Sequence, residues 1–351
     1  MNKKIIALII SVLYLITSFA VFAQSDDVVL INDAQYAKEL SVINAVNPDY
    51  TLPKETNVFS RSQFVKLLID VMSPQYSTEA ETGFEDVDSS ESYAPALKFA
   101  KDFGIISPAQ NFNPDDDVTY TQAVKMVVTA LGYKPLADAK GSYPTGYLTI
   151  ANDLDLFDGL ENSGDKPLTL ADGLKLICNV FDSNVMVQTG FGSDFIYDAS
   201  SEQTFLSYYH KIKTVYGIVN ANAYTSLTSP SGALDEGYIK IGINDYKTQG
   251  DFNDTLGLNV KAYVDDDTVI YVSEYESDSI TLNTDEIDRV EDFNVVVTEN
   301  NKEKKIPLDE SFSYIKNGKS YSITSADFNP YFIFDTGNVT LTDNNGDRKY
   351  D

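Results

Sequence analysis

The sequence predicts an α+β chain in two parts, a helical N-terminal half built on an internal repeat and an antiparallel β-rich C-terminal half. Two observations carry the prediction. First, one pattern returns three times in register, as Ser60-Arg-Ser-Gln-Phe-Val-Lys66, Thr119-Tyr-Thr-Gln-Ala-Val-Lys125 and Thr169-Leu-Ala-Asp-Gly-Leu-Lys175. Each copy opens on a hydroxyl residue, places Gln63, Gln122 or Asp172 three positions on, and ends on lysine before an apolar run. One copy is an ordinary helix start, whereas three in register mark an internal repeat. Second, the texture changes after Asp182 to short runs rich in β-branched and aromatic residues, separated by Gly, Asn and Asp.

The chain opens with Lys3 and Lys4, an apolar stretch from Ile5 to Ala23, and then the polar, acidic Gln24-Ser25-Asp26-Asp27. Val21-Phe22-Ala23 supplies the small residues of a cleavage site. We expect residues 1–23 to be a secretory signal peptide cut after Ala23. A retained membrane anchor is the alternative, because the stretch is near the minimum that spans a bilayer. No cysteine lies near the cleavage point to carry lipid. No second long apolar run follows, so a soluble mature chain with no membrane partner is expected.

Removing that leader takes the formal charge from −27 to −29, since it holds two lysines and no acid. Such acidity argues against nucleic acid and against anionic lipid headgroups as partners. It fits a solvated extracellular surface. Cys178 is the sole cysteine, so no disulfide forms within the chain, and its apolar surroundings make it a core residue. The mature chain of about 330 residues is long enough for two domains, expected over residues 24–182 and 183–351.

Within the first, Ser60, Thr119 and Thr169 are expected to cap helices by accepting the backbone N–H three residues on. Gln63, Gln122 and Asp172 are placed to reach back to the cap, the two glutamines best of all. Phe59, Val118 and Leu168 precede the caps, and Phe64 is placed to meet Phe59. Gly132 marks the end of the second capped helix. Another helix precedes each, over residues 36–43, 94–103 and 148–154. These end at Asn44, Gly104 and Asp155, residue types that tolerate the left-handed closing conformation, and an apolar pair follows each. Caps lie 59 and 50 residues apart, as variable loops between constant helices require. One helical pair cannot bury its apolar stripe, but three can share a core.

Phe84-Glu-Asp-Val87, Tyr93, Gly104-Ile-Ile106, Phe112-Asn-Pro114 and Val118-Thr119 resemble an S-layer homology (SLH) repeat. The first and third copies match less fully, and the resemblance covers roughly residues 27–182, with copies at about 27–75, 84–133 and 143–182. It implies three helical pairs in a pseudo-threefold bundle. It also implies non-covalent anchoring to a secondary cell-wall polysaccharide, often one bearing pyruvate ketals. Members typically carry a Thr-Arg-Ala-Glu-like tetrad whose arginine meets an anionic sugar. Here the tetrads read Ser-Arg-Ser-Gln, Thr-Tyr-Thr-Gln and Thr-Leu-Ala-Asp, so only Arg61 keeps the charge. Arg61 is the leading candidate for a charge-assisted glycan contact. Tyr93, at the family's tryptophan position, and Tyr120 offer faces for sugars. Lys66, Lys125 and Lys175 are candidate contacts too, although their apolar flanks suit snorkelling lysines. Asp86 is a candidate contact or, on a blander reading, a turn residue.

In the second half, residues 202–213 suit a short connecting helix. Beyond it come 215–219, 238–242, 260–264, 269–272, 293–297 and 331–334, read as strands of a sandwich or barrel with one wet face. His210 is the only histidine, which excludes a Ser-His-Asp triad built without it and a zinc site of several histidines. Acids are too abundant for any pair to mark a glycosidase. Asp343, Asn345, Asp347 and Asp351 alternate as in a calcium loop, but Gly346 falls one residue early and the closing Glu is missing. A polar turn fits better, so no cofactor is expected, with calcium as the alternative. A turn at the very end suggests a longer parent chain. The expectation is a secreted cell-surface protein anchored by binding rather than chemistry. Its rivals are a lattice component whose repeats only pack or self-assemble, and a wall glycoside hydrolase.

Overall fold

The structure is a computed structural model and describes residues 33–53, 56–72, 78, 80–190, 196–198, 203–229, 231–299, 301–316, 319–324 and 337–350. The expected leader, the strand at 331–334 and Asp351 lie outside these residues.

A 3-10 turn over Asp33–Tyr36 runs into α1 (Ala37–Val46). The helices that follow are α2 (Arg61–Met72), α3 (Ala94–Asp102), α4 (Tyr120–Ala130), α5 (Lys134–Ala139), α6 (Thr145–Asp153) and α7 (Leu170–Phe181). Phe64, Leu67, Leu68 and Val71 of α2 recur at helical spacing and are all but fully buried. Caps form where expected. The Gln63 and Gln122 N–H groups donate to the Ser60 and Thr119 hydroxyls, both at 3.3 Å, and each glutamine carbonyl accepts the cap's own N–H in return. Thr169 accepts from the Asp172 N–H at 3.1 Å. Asp172 does not reach back; its carboxylate instead accepts from the Glu161 N–H and the Asn162 amide, both at 2.9 Å. Phe64 meets Phe59 edge-on at 5.8 Å.

Gly104 (φ 70°) and Asp155 (φ 54°) close their helices in the left-handed region. Asn44 does not, which corrects that expectation. α1 continues through it to Val46 and closes at Asn47 (φ −130°). The Asn44 amide, turned to donate to the Asn47 and Tyr50 carbonyls, supports the turn from inside the helix. Helix α5 has no counterpart in the expected repeat; Pro135 at its start and a Lys134–Asp138 pair one turn apart favour it.

The helices pair across copies rather than within them. Besides α5 on α6, the principal helix contacts are α2 on α3, α4 on α6 and α7 on α1, so each capped helix lies on the first helix of the next repeat of the sequence, in a cycle. Backbone hydrogen bonds close the same cycle at the residues before the caps. Phe59 N–H donates to Leu168 O (2.9 Å), Leu168 N–H to Val118 O (2.8 Å) and Val118 N–H to Phe59 O (3.0 Å). Close packing sets residue size at this centre. A Cβ on Gly173 would stand 2.5 Å from the Phe59 ring.

Helix α8 (Phe205–His210) leads to a closed five-stranded barrel of β3 (Lys213–Ala221), β4 (Tyr238–Ile241), β5 (Asn244–Thr248), β6 (Asn259–Asp265) and β7 (Thr268–Glu274), ordered β3-β4-β5-β7-β6. A small hairpin, β1 (Val187–Gly190) with β2 (Ile196–Asp198), precedes it. Closure corrects the all-antiparallel expectation, because β5 meets β7 in parallel, Lys247 opposite Thr268. Val219, Ile239, Ile241, Val260 and Val269 fill the barrel. The outer face of β6 corrects another expectation. Tyr263 is not wet but 1% exposed, packed on the helices. Asp182, ending α7, pairs with Lys261 and accepts from Tyr263 OH (3.1 Å) and Thr214 Oγ1 (3.2 Å).

The remaining strands are β8 (Asp278–Asn283), β9 (Ile287–Glu291), β10 (Asn294–Glu299), β11 (Lys302–Pro307), β12 (Ser311–Lys316), β13 (Lys319–Thr324) and β14 (Asn338–Asp343). They pair as β14-β8, β11-β10-β9 and β12-β13, all antiparallel. Leu282, Val295, Ile306 and Leu308 give them a core separate from that of the barrel.

Candidate functional site

At the N-terminus of α2 the chain places Arg61 against the loop that precedes α4. Arg61 Nε donates to Phe112 O (2.9 Å) and Nη1 to Gln122 Oε1 (3.0 Å), and the guanidinium lies 4.6 Å from the Phe112 ring centre. Half-burial pulls its pKa below the ordinary value, against the nearby Asp116 and Asp86 carboxylates. It stays charged all the same, because arginine starts so far above neutrality. Neither Arg61 nor Lys125 forms an ion pair among the described residues. Arg61 Nη2 has no hydrogen-bond partner there.

Asp86 shapes that loop. Its carboxylate accepts from the N–H groups of Phe112 (2.8 Å) and Asn113 (2.6 Å). Desolvation opposes ionisation, but those hydrogen bonds and the charge of Arg61 outweigh it and hold its carboxyl below the usual range. Tyr93, at the start of α3, lies within electrostatic range of Asp86 and Asp115. Arg61, Asp86 and Tyr93 therefore share one neighbourhood, between the first capped helix and the second copy's loop.

Lys125 stands beside it on α4. Nζ donates to Ser107 Oγ (3.0 Å) and lies 5.7 Å from the ring centre of Tyr143, which is 47% exposed. Burial first, then the like charges of Lys134 and Arg61, lower its pKa, with Asp138 opposing them. An ammonium with these surroundings suits an anion. Tyr143 was missed in the sequence because it lies in a loop ahead of α6, outside the repeated pattern.

The other candidates have different surroundings. Tyr120 is 2% exposed and stacks on Phe157 at 6.0 Å, with its phenol pushed up to about 12 by burial and by Asp172. That corrects the expectation of a free face for sugars, because the pseudo-equivalent of Arg61 has turned into the core. Lys66 pairs with Asp70 at 2.6 Å. Lys175 lies along Gly159 and has no ion-pair or hydrogen-bond partner among the described residues. Cys178 is packed against the core, its thiol pushed up to about 12 by burial. His210 Nε2 meets Val71 O at 2.6 Å, docking α8 on α2.

Asp343 is turned inward, 3% exposed, and accepts the N–H groups of Asn345 (3.1 Å), Gly346 (2.8 Å) and Arg348 (2.8 Å). Asn345 and Asp347 accept from Asp347 N and Lys349 N in the same way. These are Asx turns. Among the described residues no group of three or more His, Cys, Asp or Glu is placed to hold a metal ion.

Residues 83–124, which span Asp86, Tyr93, α3, the Phe112 loop and the cap of α4, match the S-layer homology domain. The chain thus carries a domain of the SLH family. It is 27% identical over 171 residues to the middle cell wall protein of Brevibacillus brevis, covering 47% of this chain and 16% of that one. A surface layer protein of Brevibacillus choshinensis is 27% identical over 158 residues, 44% of this chain and 14% of its own. A cell surface protein of Thermoanaerobacter kivui is 23% identical over 299 residues, 80% of this chain and 37% of its own. This chain therefore spans well under half the length of each relative. Domain and relatives place it at the cell surface. Among the described residues no helix is long and apolar enough to cross a membrane.

Proposed function

We propose that residues 33–182 are three copies of one unit around a pseudo-threefold axis, and that they anchor the chain to an anionic cell-wall polysaccharide. The cyclic helix pairing and the closed ring through Phe59, Val118 and Leu168 support the architecture. What carries the binding reading is the Arg61–Lys125–Tyr143 neighbourhood. In a chain of net charge −27, two half-buried cations form no ion pair among the described residues, and one of them, Lys125, lies over an exposed tyrosine just beyond the matched domain. Lys125 and Arg61 Nη2 would meet a sugar carboxylate, such as a pyruvate ketal, and Tyr143 a ring face. Asp86 positions the loop, and Tyr93 stands near it.

The test is co-sedimentation of the mature chain with purified sacculi, before and after chemical removal of the secondary polysaccharide. Pelleting should vanish with the polysaccharide, and Lys125→Met should weaken it while leaving folding intact. Pelleting unaffected by either change would sink the reading.

One observation favours a lattice role instead. Two of the three tetrad positions are spent on the core, Tyr120 and Leu170 at 2% and 0% exposure. On that reading a folded chain ignores sacculi and assembles with itself, which sedimentation without walls would detect.

A further inference from the structure

The strands beyond the barrel form a body of their own. Their apolar cluster, built on Leu282, Val295, Ile306 and Leu308, shares no residue with the cluster inside the barrel. Among the described residues no strand of one group pairs with a strand of the other or packs broadly on it. The chain crosses between them at residues 275–277, where Glu276 is left-handed (φ 48°).

A side chain makes a second tie. Asn344 directly follows β14. Its Nδ2 donates to Gly257 O and its Oδ1 accepts the Asn259 N–H, both at 2.8 Å. The amide thus stands where a peptide group of a neighbouring strand would stand. The loop that carries it is held at both ends by the distal strands. The Asp343 carboxylate accepts the N–H groups of Asn345, Gly346 and Arg348 at its start. At its end Tyr350 N–H donates to Pro307 O (3.0 Å), and Tyr350 O accepts from Asp309 N–H (2.9 Å). The loop is therefore a preformed finger of the distal body, with an amide reaching across to the barrel. Crossing and finger converge on one residue. Asn259 gives its N–H to Asn344, and its carbonyl accepts the Tyr275 N–H at 2.9 Å. With the finger so close to the crossing, losing its grip frees rotation there and breaks no β-ladder.

We infer that residues 275–277 are a hinge and Asn344 its latch, so that the distal strands swing as one body on the barrel. Two neutral hydrogen bonds weight the closed arrangement by roughly ten- to a hundredfold. The open arrangement is then a populated minor state. Asp182 and the packing of Tyr263 fix the barrel to the helices, so the molecule combines one fixed joint with one movable joint.

The test is NMR of the full mature chain and of Asn344→Ala, reading residual dipolar couplings and amide exchange. In the native chain one alignment tensor should fit the amides of barrel and distal strands together. Its Asn259 amide should exchange at least about tenfold faster than those of the β3–β6 ladder, because the latch opens without unfolding the barrel. Asn344→Ala should need two tensors, while the amides of the β9–β11 ladder keep their native protection. A single tensor for the variant, two tensors for the native chain, or a native Asn259 amide as protected as the ladder would each overturn the inference. Loss of β9–β11 protection in the variant would overturn it too, by making Asn344 part of the distal fold rather than its latch.

Discussion

Arg61 is the residue whose two roles compete. Its Nε and Nη1 are committed to the Phe112 carbonyl and to Gln122, so it ties the first capped helix to the second copy whether or not a glycan is present. Removing it takes the Arg61 donor from the Phe112 carbonyl and leaves the Gln122 carbonyl with the Thr119 N–H alone. We expect Arg61→Ala to cost about 1–3 kcal/mol, read by urea unfolding in the absence of any ligand. A variant of unchanged stability would mean that Arg61 is held only loosely and is free for glycan. Lys125→Met is therefore the cleaner probe of binding. His210 offers a second residue-scale test. Burial lowers its pKa below 6.5, opposed by its hydrogen bond to the Val71 carbonyl and by Asp265. The unfolded chain thus takes up its proton first. The stability His210 contributes is complete above pH 6.5 and is lost as pH falls from there through the lowered folded value. As the only histidine, it gives one imidazole NMR signal, whose midpoint should lie below 6.5. His210→Gln should flatten that part of the stability profile. A midpoint at or above 6.5 would count against the docked geometry.

Between elements, the centre of the helical half is set by what stands at one repeated position, Phe64, Ala123 and Gly173. Phe64 fills space against Phe59, while Gly173 yields it, since its added Cβ would lie 2.5 Å from the same ring. Gly173→Ala should therefore destabilise by about 1–3 kcal/mol, despite alanine's better helix propensity. Thermal unfolding measures this, and a stabilised variant would show that α7 slides freely on Phe59. The sequence made such elements legible where the cause is local. Ser60 with Gln63 and Thr119 with Gln122 form the expected capping boxes because the partners are three residues apart. Gly104 and Asp155 close helices by their own backbone freedom. Asn44 misled because its type fits a helix end as well as it fits the last turn of a helix. Long-range choices were hidden. Nothing in α2 says that it packs on α3 of the next copy, nothing in Lys247 says that it faces Thr268 in parallel, and Tyr143 carries no repeat signal. At the candidate site the same division holds. Arg61 and Asp86 were legible from their motif, whereas the burial of Tyr120 depended on Phe157, which only the fold brings to it.

Across the whole molecule, the helical half and the barrel meet at a packed joint rather than a linker, with Tyr263, Ile270 and Tyr271 of the barrel against the helical core and a polar cluster beside them. Asp182 ends the last helix and gathers three groups from the barrel, the Lys261 ammonium, the Tyr263 phenol and the Thr214 hydroxyl. Tyr263 is 1% exposed, so its hydroxyl has no ready access to water if Asp182 is lost. Tyr209 and His210, from the helix between the two, donate to or meet the Ala130 and Val71 carbonyls of the helical half. At the far end of the barrel, the Asn344 side chain bonds to Gly257 O and Asn259 N, both at 2.8 Å, and fastens the distal strands. An anchor built this way would transmit orientation as well as position, with the barrel held at a fixed angle to whatever the helices grip. Asp182→Ala tests the joint. It strands an ammonium and a buried phenol, so we expect a loss of about 1–3 kcal/mol. The form of the unfolding should change as well. Scanning calorimetry of the native chain should give one transition for helices and barrel together, and the variant should split it, because the barrel interior is an apolar cluster of its own and Tyr263, where the barrel packs on the helical core, loses its polar anchor. A native chain that already melts in two steps, or a variant that still melts in one, would show that the Asp182 contacts do not hold the halves as one cooperative unit.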